Sequence, residues 1–160
     1  MVSTQTFHEY ATASNSYIVA TNLNLGSANV SNLNTSLYPV IAGSYTFEKF
    51  IKLNFGGTFT SISTVKFYKS AGALVTGEVL NYTGQTEIWV SPINTVSSEA
   101  DTTIATSEPD DTNVSIGGSL TGSLVAAGST DFIVLQGSYS ANTSAGVTNE
   151  KTFSFSWTEV

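Results

Sequence analysis

A chain of 160 residues with a net charge of −7, five lysines and no arginine lacks the positive charge and the bidentate donors with which proteins hold nucleic acid. It has no cysteine, which excludes a disulfide framework, a thiolate nucleophile and a sulfur-ligated zinc. Charged residues make up only 11%, so Ser, Thr, Asn and Gly must carry solubility, and these small polar side chains compete with helical hydrogen bonds and favour strands and turns.

The opening, Met1 to Tyr10, has neither a basic nor an apolar leader region, so no signal peptide is expected. No run approaches the ~18 apolar residues that cross a bilayer as a helix, so no membrane partner is expected. Residues 1–37 are polar and irregular and read as an extended N-terminal arm with short strands, followed by a domain over 38–160. Within the arm Tyr17, Val19, Thr21, Leu23 and Leu25 alternate as in a strand with one buried face, whereas Phe7–Tyr10 has no evident local core.

The next strand is expected over 45–55, with Tyr45, Phe47, Ile51, Leu53 and Phe55 on one face; Lys49 and Phe50 break the alternation, and a helix over Phe47–Leu53 is the competing reading. Gly56-Gly57 ends either element. Ser61–Lys69 and Gln85–Ser91 follow as strands, the second carrying Ile88, Trp89 and Val90 and stopped by Pro92, with Gly72, Gly77 and Gly84 marking hairpins between them. The acidic stretch 99–113 reads as a long exposed loop. Short strands are then expected around Val114–Ile116, around Leu120–Val125, over Asp131–Tyr139 and from Val147 to the end, separated by Gly117-Gly118, Gly128 and Asn142–Gly146. In the last, Phe153, Phe155 and Trp157 face one way and Thr152, Ser154, Ser156 and Thr158 the other. Seven or eight such strands without a convincing helix make an all-β fold, an antiparallel β-sandwich of immunoglobulin-like or jelly-roll type.

Catalytic chemistry finds little to work with. His8 is the sole histidine and lies in the arm, away from any rigid element; no Gly-x-Ser-x-Gly elbow occurs. Two carboxylates can suffice for glycoside hydrolysis, and Glu78 with Glu87 or Glu99 with Asp101 are the pairs to weigh, but small sandwiches rarely offer the cleft. Asp101, Asp110 and Asp111 have the hard oxygens that Ca²⁺ takes, without the spacing of an EF-hand loop, and a solvated loop is the commoner meaning of such charges. Trp89, Tyr68 and Tyr82 are the aromatics that could stack on a sugar. No catalytic residue, cofactor or metal is therefore expected, and the chain reads as a non-enzymatic protein that presents surface to partners.

The strings Ser63–Gly72 (STVKFYKSAG), Ser97–Ala100 (SSEA), Phe132–Gln136 (FIVLQ) and Lys151–Glu159 (KTFSFSWTE) together resemble small structural proteins of tailed-phage virions. The resemblance covers about residues 40–160. It implies a β-sandwich that decorates the capsid surface, with the major capsid protein and copies of itself as partners, a homotrimer at threefold positions, and an arm linking neighbours. Phe7, Tyr10 and Tyr17 are the candidate anchors of that arm, with local packing against the sandwich as the equal alternative. A carbohydrate-binding or adhesion module, with a glycan as partner and an exposed Trp89 or Tyr82, is the alternative.

Overall fold

The computed structural model describes residues 2–10, 17–144 and 149–160. Among these residues there is no helix, and nine strands form two antiparallel sheets: β1 (Ser3–Tyr10), β2 (Tyr17–Val19), β3 (Lys49–Gly57), β4 (Ile62–Ala71), β5 (Glu78–Thr86), β6 (Thr102–Thr103), β7 (Gly128–Ser129), β8 (Phe132–Tyr139) and β9 (Thr152–Glu159). The large sheet runs β2-β1-β3-β8-β5-β6, with β7 also on β3, and β4-β9 make the second. The split of seven strands and two departs from the four and three of an immunoglobulin sandwich.

The core between the sheets follows from alternation. Ile51, Leu53 and Phe55 of β3, Leu80 and Tyr82 of β5, and Ile133 and Leu135 of β8 point to the same side and meet Ile62, Val65 and Phe67 of β4. Phe153, Phe155 and Trp157 of β9 complete that core as the sequence predicts, with Phe155 5.0 Å from Phe67 and Trp157 edge-on to Phe55 at 5.4 Å. The alternate positions of β3 and β8 do not meet bare solvent. Phe50, Phe132 and Val134 form a second cluster on the opposite side of the large sheet with Ala100, and Trp89 and Tyr10 pack against it.

Several expectations change. Residues 3–10 are not an arm: β1 pairs with β3 along its whole length, from Ser3 opposite Gly57 to Tyr10 opposite Phe50. Of the alternating run 17–25 only Tyr17–Val19 is a strand, and its three side chains are exposed; Leu23 and Leu25 pack on the core without a ladder. The strand expected at 45–55 begins at Lys49, and the helix alternative is absent. Residues 87–91 leave the ladder after Thr86, because Trp89 lies across the sheet's outer cluster instead of extending β5. The stretch 99–113 is not simply exposed: Ala100 and Ile104 are buried, and Thr102–Thr103 pairs with β5. Around Val114–Ile116 and Leu120–Val125 there are only isolated bridges. There Gly117 and Gly118, both at positive φ, turn the chain so that their N–H groups donate to the Asp131 carboxylate at 3.2 and 2.8 Å. Residues 145–148, where the last strand was expected to begin, lie outside the described residues.

Most informative is the pair that hides β1 from a hydrophobicity reading. Glu9 and Lys49 are each 1% exposed and bond to one another, Lys49 Nζ also donates to the Val30 carbonyl at 2.7 Å, and the Asn32 amide donates to Glu9 at 3.1 Å. The pair thus ties β1, β3 and the segment after β2 together. Removing one partner strands a buried charge, so Glu9→Leu is expected to lower unfolding free energy by about 3–5 kcal/mol. Coupling it with Lys49→Met should return much of that loss in urea titrations of both variants.

Candidate interaction surface

The three aromatics expected as anchors are brought together only in part. Phe7 faces the core, 5.8 Å from Phe155. Tyr10 lies on the opposite face, edge-on to Phe132 at 4.9 Å and 5.7 Å from Tyr17; burial and the neighbouring Tyr17 raise its phenol above the ordinary range. Tyr17 is 55% exposed and stacks on the His8 ring at 4.1 Å. With Ile18 and Val19, also exposed, it makes an apolar strand at the end of the large sheet's order. Edge strands of this kind present free backbone groups to another chain, and proteins usually blunt them with charge, which β2 lacks.

A second surface lies over the sheet's outer cluster. Residues 87–100 are fastened there by two buried side chains. Gln136 donates to the Thr46 carbonyl at 3.1 Å and the Thr95 carbonyl at 2.8 Å and accepts from the Ser97 amide at 3.0 Å, while Glu48 accepts from the Ile93 amide at 3.1 Å. Ile88, Val90, Ile93 and Val96 remain exposed on this layer.

A groove of about 420 Å³ runs along the outer side of β4 and β9, walled by Glu108, Asp110, Asp111 and Thr112. Lys66 lies 3.6 Å from Glu108, to which the Ser156 hydroxyl donates at 2.7 Å. At its end the Thr64 and Thr158 hydroxyls are bonded at 2.5 Å. Thr64 has left-handed backbone geometry, with φ +51, in the register shift between Ser63 and Lys66, a conformation in which a β-branched residue is an outlier. Neither this residue nor the groove was visible in the sequence, because a Thr within a strand pattern carries no sign of its φ.

The remaining candidates are dispersed. Glu78 is buried, 2.9 Å from Lys151, and accepts from Tyr139 at 3.2 Å; Glu99 accepts from Thr86 at 3.1 Å and Asp101 from Thr102 at 3.0 Å. Asp101, Asp110 and Asp111 are not gathered: among the described residues no three His, Asp or Glu side chains are placed to hold a metal ion. Tyr82 is 7% exposed with its hydroxyl taking a hydrogen bond from Asn113 at 2.7 Å, and Trp89 is half-buried, so neither is the exposed sugar platform expected. His8 lies in β1, not in a detached arm, with its Nε2 3.2 Å from the Thr6 hydroxyl.

No family model, curated protein or solved structure matches this chain.

Burial holds the His8 imidazole below its ordinary 6.5. The unfolded chain therefore takes up the proton more readily, so the stability that His8 allows is complete above pH 6.5 and declines as pH falls below it. Urea midpoints should drop on acidification through that window, and His8→Asn should remove this part of the slope. Asn tolerates left-handed backbone better than Thr, so Thr64→Asn should raise stability by up to about 1 kcal/mol, read from the same titrations.

Proposed function

We propose that this chain is a non-enzymatic virion structural protein, a capsid decoration or cement protein that binds the outer capsid surface and neighbouring copies. The observation that carries this reading is β2, an uncharged apolar edge strand whose Tyr17, Ile18 and Val19 side chains all face solvent. Strand addition at such an edge supplies affinity through main-chain bonds and specificity through alternate side chains. In support, the strings that resemble phage structural proteins fall largely on β4, β8 and β9, the frame that holds the core. On this reading the sandwich is the body, and the β1-β2 corner, with Tyr17 and not Phe7 as its anchor, is the contact.

The alternative, a glycan-binding module, is favoured by one specific feature: the groove beside β9 is lined by Trp157 together with Thr64, Ser156, Thr158, Glu108 and Asp111. Hydroxyl and carboxylate groups beside an aromatic residue suit a polyol.

Peptide mass spectrometry on particles banded from the source culture is expected to find the chain at a ratio near that of the major coat protein, and Val19→Lys protein should fail to bind particles stripped of it. Absence from particles would overturn the virion reading and leave the glycan-binding module in front.

A further inference from the structure

The Glu9–Lys49 pair has a further polar residue next to it along the chain. Asn29 precedes Val30, whose carbonyl receives Lys49 Nζ at 2.7 Å, and the Asn29 Oδ1 is buried with no hydrogen-bond partner. A buried side-chain amide oxygen left unpaired is costly, and the carbonyl of the very next residue, Val30, holds the Lys49 amine. An amine, a carboxyl bonded to it and an amide form a complete set for acyl transfer: nucleophile, proton shuttle and electrophile.

We propose that Lys49 and Asn29 join in an intramolecular isopeptide bond, with Glu9 as the proton shuttle. Glu9 takes a proton from the Lys49 ammonium through the hydrogen bond already between them. The free amine adds to Asn29 Cγ, and as the tetrahedral centre collapses the protonated Glu9 and the attacking nitrogen each give a proton to the departing nitrogen. The Lys49 Nζ–Asn29 Cγ bond forms, the Asn29 Cγ–Nδ2 bond breaks, and Nδ2 leaves as ammonium; in sum an ammonium and a primary amide become a secondary amide and an ammonium ion, with no oxidant or cofactor. The product staples the segment after β2 to β3, the central strand of the large sheet, beside the edge on which the proposed docking depends. It stands on these three residues alone and holds whatever the chain binds.

The test is the mass of the intact, folded full-length protein. It is expected to be lighter than its sequence by one ammonia. Cleavage after glutamate at Glu9, Glu48 and Glu78 should release peptides 10–48 and 49–78 as one branched species, with the link at Asn29 and Lys49 in fragment spectra. Asn29→Ala changes a half-buried side chain and should restore the full sequence mass, while Asn29→Asp should show the loss of one water instead. Wild-type protein at its full sequence mass would overturn the proposal, and so would an ammonia loss without the branched peptide, which marks succinimide formation at an asparagine.

Discussion

Everything in this fold depends on strand β3 being buried on both sides. Its ladder partners are β1 and β8, its odd residues Ile51, Leu53 and Phe55 fill the core against β4 and β9, and its even residue Phe50 fills the outer cluster under Trp89. A sheet with one wet face needs a single cover. This one needs two, and the second sheet supplies only one of them. The other is irregular chain, residues 87–100, and irregular chain lying on a sheet must have its backbone groups satisfied side by side with its apolar contacts.

That requirement explains where the few charged and amide side chains are spent. Lys49, Lys69, Glu9, Glu48, Glu78, Asp131 and Gln136 are all buried, while Ile41, Ile88, Val96 and Val125 are largely exposed. Each buried group faces backbone or an opposite charge. Lys69 donates to the Gly72 carbonyl, Asp131 accepts from two glycine amides and Glu78 accepts from the Val75 amide at 2.9 Å beside Lys151. In a chain without disulfides these contacts fix loops that hydrophobic burial alone would leave free to slide. At the chain ends the same device closes the sandwich: Glu159 of β9 accepts from the Ser3 amide and hydroxyl at 2.9 and 2.6 Å, and those bonds hold its carboxyl below the usual range.

The inversion also decides what could be read from the residues. Strands β4 and β9 were legible because their alternation is written in Phe, Ile, Val and Trp on a half-covered sheet, and β8 because Phe132–Leu135 is a continuous apolar run of strand length. Strand β1 was not, since its inward residues include Ser3 and Glu9, which look like surface until Lys49 is placed beside them. Trp89 misled for the opposite reason: an apolar triplet between a strand and a proline resembles a strand, and only the outer cluster shows that it is a lid. Of the proposed contact surface, Tyr17 was legible as an aromatic on a short strand. The exposure of Ile18 and Val19 was not, because pattern reports alternation and not which face finds a cover. The groove at Thr64 depends on a single backbone angle that no periodicity encodes.

Gln136 and Glu48 grip the outer layer by the carbonyl and amide groups of residues 93, 95 and 97, never by their side chains. A path recognised only through its main chain is indifferent to what the main chain carries. Ile93, Thr95 and the exposed residues around them can therefore be exchanged without redirecting the loop, much as the variable loops of other sandwiches are free to diversify on a constant frame. The buried amide of one glutamine gives this protein a face whose chemistry can drift while its shape stays the same.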